Sequence, residues 1–394
     1  GFDPISLLIT FFAVLLSIGF LLVFIGLLGY IGFLAYKYRN REKNSLNTTL
    51  LHVALSRDNE IKIDASEQLF SSFASLRQSG KLSFLKPQPS ISFEIAGMPG
   101  DIRFYVSTPN KYKDFIEKQI NGAYPDAEIK EVNEKSSLHE GFVLGNDYNI
   151  FSENSKVAFA SMKLKSSNYM PIKLYKDLPT DSLSSITSVL AKMTESEGAA
   201  IQIVISPADG KWKKLGRAYL SKTKKGEANP ETAKYSADPK ELEGIENKIG
   251  KPGFDTVIRI VVSSSTKESA EAHLNNIKNM FTQFSGLNSF TGSKLRMKKM
   301  FMTDFIYRYM PMRGQTSVMS SEELATIYHF PNKSVTTPHV FWVTSKRAPV
   351  AANISTTGLY LGKSTYRGLS RDVFIERDDR RRHMYIIGKT GTGK

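Results

Sequence analysis

The sequence contains no cysteine, two tryptophans and six histidines. Without cysteine there can be no disulfide, no thiolate zinc site, no iron–sulfur cluster and no thiol nucleophile. The histidines form no pair at metal-ligand spacing, and no Ser-His-Asp set or carboxylate pair with a defined catalytic task stands out. Acidic residues are in deficit, 38 against 53 lysines and arginines, for a formal net charge of +15. That balance suits a polyanion, either nucleic acid or an anionic membrane surface, as well as plain solubility. Near the N-terminus charge is missing altogether: residues 4–36 contain none.

A helix needs about 20 apolar residues to cross a bilayer, and residues 4–36 exceed that. At ~1.5 Å per residue they would reach roughly 50 Å. No turn signal divides them, so they read as one long membrane helix. Tyr30, Tyr36 and Tyr38 fit an aromatic belt at its end, where Lys37, Arg39, Arg41 and Lys43 begin. A signal peptide carries its positive charge before its apolar core; here the charge comes after it. The positive-inside rule then places the C-terminal side of the helix in the cytoplasm, giving a single-pass protein of the inner or plasma membrane. Gly26, Gly29 and Gly32 recur at i, i+3 spacing, either as a helix-contact face or as ordinary glycine tolerance.

At 394 residues, 41% of them hydrophobic, the chain has room for two or three domains. After a linker (39–47), residues 50–56 read as a strand and 64–77 as a helix capped by Asp64, with Leu69, Phe70, Phe73 and Leu76 on one face. Strands at 91–96 and 102–107 flank a turn, a helix covers 111–121, and a strand comes next at 127–132. The order β-α-β-β-α-β is that of a ferredoxin-like, split βαβ module over 48–150. The rhythm returns over 151–319: a strand at 157–164, a helix at 181–193, a strand at 200–206, a basic helix at 209–222, a charged exposed insertion at 223–252, a strand at 257–263, a long helix at 267–284 and a closing strand at 295–302. A short helix at 321–328, capped by Ser320 or Ser321, opens a β-rich region (320–394) with short strands at 340–344, 358–361, 373–375 and 384–387. The fold class is thus α+β: a transmembrane helix (1–38), tandem ferredoxin-like modules, and a β-rich segment.

The basic helix carries Lys211, Trp212, Lys213, Lys214 and Arg217, with Lys222, Lys224 and Lys225 beyond. Such a stretch could hold DNA phosphates with Trp212 as a stacking surface, lie on anionic headgroups, or be a solvated face with Trp212 and Leu215 turned inward. A second cluster, Lys294, Arg296, Lys298 and Lys299, fits a solvated strand edge. Arg380, Arg381 and Arg382 fit pairing with Asp378 and Asp379.

The chain closes on Gly388-Lys389-Thr390-Gly391-Thr392-Gly393-Lys394, the G-x-x-x-x-G-K of a phosphate-binding loop, after an apolar strand. Gly388 lets the backbone leave the strand sharply. Gly391 and Gly393 allow a tight loop whose N–H groups cradle phosphate, and Lys394 meets the β- and γ-phosphates. The expected cofactors are ATP and Mg²⁺, the metal held by a hydroxyl at the next position. Both ends read as cuts in a longer protein.

Asp379-Arg380-Arg381-Arg382-His383 with this strand and loop resembles the entry to the motor domain of HerA/FtsK-type ATPases. The region is especially similar to membrane-anchored ATPases of conjugative type IV secretion systems, including TraD/TraG-type coupling proteins. Leu324-Ala325-Thr326-Ile327-Tyr328-His329-Phe330-Pro331 and Gly358-Leu359-Tyr360-Leu361-Gly362 match motifs of similar members. The resemblance implies a RecA-like domain beginning at the loop and a hexameric motor that moves DNA or nucleoprotein through a membrane pore with other secretion-system subunits. A single span before a long intervening region is closer to the second large motor ATPase of these machines than to the coupling protein. With later motor elements beyond Lys394, these residues alone should not hydrolyse ATP. The other reading is a module that docks a motor on a membrane complex and touches no nucleic acid.

Overall fold

The computed structural model describes residues 4–132, 148–227, 238–293, 297–312, 316–343, 350–366 and 369–382. The chain divides into two compact units, Gly1–Trp342 and Val343–Lys394.

The first unit opens with α1 (Pro4–Tyr38), one unbroken helix that is long and apolar enough to span a membrane. From Ile5 to Gly32 its residues are exposed, so no described residue of this unit covers this apolar surface. Only its last turns, around Phe33, Leu34, Lys37 and Tyr38, are partly covered. A short helix, α2 (Arg41–Leu46), leads into the body.

The body is a mixed α+β fold around one ten-stranded sheet. Its first elements are β1 (Thr48–Ser56), α3 (Asp64–Ser72), β2 (Ile91–Met98), β3 (Asp101–Pro109), α4 (Lys113–Ala123) and β4 (Glu128–Glu131). Then come β5 (Lys156–Leu164), α5 (Ser182–Leu190), β6 (Gly198–Pro207), α6 (Lys211–Glu227), α7 (Pro239–Gly250), β7 (Gly253–Ser264), α8 (Lys267–Met280) and β8 (Phe290–Gly292). The unit ends with α9 (Lys298–Ile306), β9 (Ser317–Ser320), α10 (Ser321–Ile327) and β10 (Trp342–Val343). Across the sheet the order is β10-β1-β3-β2-β6-β7-β5-β8, with β4 also on β1 and β9 on β7.

The two halves of the sheet repeat one pattern. The first four strands lie as β4-β1-β3-β2 and the next four as β8-β5-β7-β6, every one of these pairs antiparallel. The halves join through their second strands, β2 and β6, in register from Ile91↔Ile205 to Gly97↔Ala199. The join makes β6 a central strand, buried at all ten positions, which fits its run of Ala, Ile and Val.

One face of the sheet carries Leu51, Val53, Phe93, Ile95, Ile201, Ile203, Ile258 and Ile260 and is covered by α3, α4, α5, α8 and α10 in one continuous core. The helix starts are chemically specified. Asp181 accepts from the Leu183 N–H at 2.9 Å, Thr266 from the Ser269 N–H at 3.1 Å, and Ser320 and Glu323 form a reciprocal capping box. The segment Tyr328–Phe330 runs into this core. Tyr328 packs on Phe93 at 5.2 Å and on Phe330 at 5.6 Å, and the His329 ring lies between the Ala325 carbonyl and the Asp181 carboxylate.

Three expectations need correction. Asp64 does not cap α3; its carboxylate accepts from the Tyr175 hydroxyl instead. The stretch expected as an exposed insertion holds the rest of α6 and the whole of α7, which Asp238 caps and Pro239 opens. Ile245 and Ile249 of α7 are buried with Trp212 and Leu220 of α6, so the pair has its own small core. The closing strand is β8, and the segment expected to be that strand is α9 from Lys298 onward. Phe301 and Phe305, four residues apart, share one helical face and cover the second face of the sheet.

The second unit contains a hairpin, β11 (Leu359–Tyr366) with β12 (Leu369–Ile375). Gly358 begins it at φ 113°, where a Cβ would lie 2.3 Å from the Ile375 carbonyl oxygen. The strand expected at 384–387 lies outside the described residues.

Candidate functional site

On the second face of the sheet, one row of cross-strand partners is polar where its surroundings are apolar. It runs His52, Tyr105, Glu94, Gln202, Arg259, Ser161 across β1, β3, β2, β6, β7 and β5. All six are buried. Burial of such groups is tolerable only when they are hydrogen-bonded, and the three central ones, Glu94, Gln202 and Arg259, are bonded to one another. Gln202 donates to Glu94 at 3.2 Å and to the Phe305 carbonyl at 2.9 Å, and Arg259 donates to Gln202 at 2.8 Å.

The segment after α9 completes the network. Arg308 Nε donates to Glu94 Oε1 at 2.6 Å, from a left-handed backbone at φ 53°. A non-glycine residue held there is strained by ~1 kcal/mol or more, and the ion pair holds it in place. Burial pushes the Glu94 carboxyl up, but Arg308 and the Ser92 hydroxyl outweigh this and hold it below its ordinary value. Arg259 also donates to the Tyr309 carbonyl and lies 4.0 Å from Asp304. Burial lowers its guanidinium to about 10.

Asp304 passes the connection to Arg41 at the start of α2, just after α1 ends. Arg41 Nη2 donates to Asp304 at 3.2 Å and to the Met310 carbonyl at 2.7 Å, and its guanidinium lies 3.8 Å from the Tyr309 ring centre. Ser45 donates to the Tyr307 carbonyl. The apolar helix is therefore tied to the middle of the sheet through Arg41, Asp304, Arg259 and Glu94. These residues were missed in the sequence. The signal was there: Glu94 stands between Phe93 and Ile95, and Arg259 between Ile258 and Ile260, charges flanked by apolar residues inside strands.

The α6 cations divide. Lys211, Lys214 and Arg217 are exposed, with Lys211 3.6 Å from Asp209. Lys213 is half-buried, and burial and then Arg217 lower its amine. Trp212 is 4% exposed, its indole seated on Gly253, where a Cβ would come within 2.3 Å of the ring. Trp212 is thus turned inward, as one of the three readings of this helix had it, and offers little surface for stacking. Leu215, expected to turn inward, is 62% exposed.

Opposite this helix, α7 and α10 are joined by charge. The buried Lys248 and Glu323 pair at 3.0 Å, while Lys251 and Lys176 both reach Glu322. Burial lowers the Lys248 amine, and Glu323 opposes that.

The expected phosphate-loop residues Gly388, Lys389, Thr390, Gly391, Thr392, Gly393 and Lys394 lie outside the described residues. Lys294 and Arg296 of the second basic cluster do so as well. Arg380, Arg381 and Arg382 are exposed, with Arg381 4.0 Å from Asp378 and Arg382 3.9 Å from Asp379.

A family model described as a domain of unknown function, DUF8128, matches residues 39–343. The chain belongs to the DUF8128 family. The match begins one residue after α1 ends and stops where the first compact unit ends. The DUF8128 region is thus the ten-stranded body without the apolar helix and without the segment that carries the G-x-x-x-x-G-K sequence. No curated protein matches the chain.

Proposed function

We propose that this chain belongs to a membrane-anchored, ATP-driven DNA or nucleoprotein translocase of a conjugation or type IV secretion apparatus. The observation that carries the reading is the G-x-x-x-x-G-K sequence at 388–394, on the same polypeptide as an uncovered apolar helix. In this reading Gly388, Lys389, Thr390, Gly391, Thr392, Gly393 and Lys394 wrap the phosphates of ATP with Mg²⁺. The protein assembles as a homo-hexamer with other secretion subunits, by resemblance. Lys37, Arg39, Arg41 and Lys43 lie at the end of the helix and favour a cytoplasmic body.

We read each half of the DUF8128 body as a ferredoxin-like module, the second bearing α6 and α7 as an insertion. Support comes from the strand orders β4-β1-β3-β2 and β8-β5-β7-β6, which share the same β-α-β-β-α-β connection. In sequence the body then follows the anchor and precedes the motor, and the network from Arg41 to Glu94 keeps it fixed to the anchor.

A second reading, a docking module without nucleic-acid contact, is favoured by the burial of Trp212, which leaves α6 no stacking surface. Duplex binding titrated against salt separates the two. On the DNA-handling reading, changing Lys211, Lys213, Lys214 and Arg217 together to alanine weakens binding and reduces the log–log salt slope by about three to four. No binding at low salt favours docking, whereas equal binding by both proteins moves the DNA contact away from α6.

A further inference from the structure

We propose that the foot of α1 holds the headgroup of an anionic phospholipid, with an acyl chain lying in the apolar groove beside it. The proposal rests on α1 spanning the bilayer and goes beyond the translocase reading.

Two adjoining cavities carry it. A cleft of about 630 Å³ lies between the end of α1, the loop before β2 and the segment after α9. Its charged lining is Lys37, Arg39, Arg41, Lys86, Lys111 and Arg308, and among the described residues no aspartate or glutamate lines it. Arg41 and Arg308 are already paired with Asp304 and Glu94. Lys37, Arg39, Lys86 and Lys111 form no ion pair among the described residues. Four cations thus line one cleft without an ion-pair partner among the described residues, and a phosphodiester entering it would supply the counter-charge. The rest of the lining is largely asparagine, serine, glutamine and tyrosine, which suits the remaining polar atoms of a headgroup.

The second cavity, about 410 Å³, is lined by Ile31, Leu34, Ala35, Tyr38, Arg41 and Met312. It shares Tyr38 and Arg41 with the basic cleft. Apolar and basic walls therefore meet at two residues, as the junction of acyl chain and headgroup requires.

The depth also fits. Phe84 stacks on Phe33 of α1 with ring centres 6.2 Å apart, and Phe84 and Leu82 are otherwise exposed at 57% and 65%. Such residues sit at the bilayer interface beside a span, with the Lys86 amine at headgroup level.

The test is native mass spectrometry of the whole chain taken from washed membranes into mild detergent, then into nanodiscs of phosphatidylcholine with or without phosphatidylglycerol. The wild type should retain phosphatidylglycerol selectively. Lys86→Ala with Lys111→Ala should lower retention about tenfold. Lys86→Arg with Lys111→Arg should keep it, and so should Lys211→Ala with Lys214→Ala. Protein absent from washed membranes overturns the spanning reading, and this proposal with it. Membrane-bound protein that shows no preference for phosphatidylglycerol, or an alanine pair that retains it as the wild type does, overturns the lipid site alone. Displacement of the retained lipid by inorganic phosphate overturns it in favour of a soluble anion.

Discussion

Arg308 reaches Glu94 across 214 positions of sequence and donates to its carboxylate at 2.6 Å, both side chains being almost fully buried. The pair fixes the segment after α9 to the centre of the sheet, and Arg41 ties the foot of α1 to that same segment.

Removing one partner should therefore be worse than removing both. Arg308→Met strands a buried carboxylate and should destabilise the body by about 3–5 kcal/mol. Adding Glu94→Gln removes the uncompensated charge and should restore part of the loss. Thermal unfolding of the chain in detergent reads both variants. If the double variant loses the sum of the two single losses, the coupling is absent.

Gly253 and Trp212 form a second tight relationship. Gly253→Ala drives a methyl against the indole and should cost about 1–3 kcal/mol. Trp212→Leu in the same chain makes room and should soften that penalty, although Trp212→Leu alone loses packing. Unchanged stability in Gly253→Ala would mean that α6 sits looser on β7 than the contact implies.

Asp255 gives a pH signature. Burial, and then the Asp209 carboxylate, push it up to about 6, with Arg77 opposing. Its folded pKa lies above the unfolded value of about 3.9, so the native state binds more protons between those values. This contribution is complete below about pH 4 and is lost as pH rises to about 6. Asp181 works in the opposite sense. Burial is outweighed there by His329, Ser334 and the Leu183 N–H, which hold it at about 2, so its contribution fails only in stronger acid. Asp255→Asn should flatten the fall in stability between about pH 4 and 6 and raise stability at neutral pH by about 2 kcal/mol. Glu117 and Asp304 are also raised by burial, so part of the slope should remain. Equal pH profiles for wild type and variant would contradict the assignment.

The elements that could be read in the sequence are those whose periodicity is set by one core. The strands at β2, β3, β6 and β7 and the helices α3, α5 and α8 fall close to where their apolar spacing places them. The joining of β2 to β6 could not be read, because antiparallel pairing between distant strands leaves no local mark. α7 was hidden by its charges: Lys248 looks like a solvated residue until Glu323, far along the chain, is brought to it. Four lysines and arginines between 294 and 299 suggested an exposed strand edge, whereas the decisive feature was the i, i+4 spacing of Phe301 and Phe305. The α6 cations were visible, but whether Trp212 faced in or out depended on Gly253, forty-one residues away in the chain (253 − 212). The polar row shows the same limit: each charge was visible, and only the register made them neighbours.

The central claim is that Lys394 belongs to a loop that holds ATP for transport. The most direct measurement is Mg²⁺-dependent ATP turnover by the protein expressed from its whole reading frame, in detergent, beside Lys394→Ala. The account predicts turnover in the wild type and a drop of roughly a hundredfold or more in the variant, with membrane insertion unchanged. Turnover that survives Lys394→Ala, or a wild type that neither binds nor hydrolyses ATP, would contradict it.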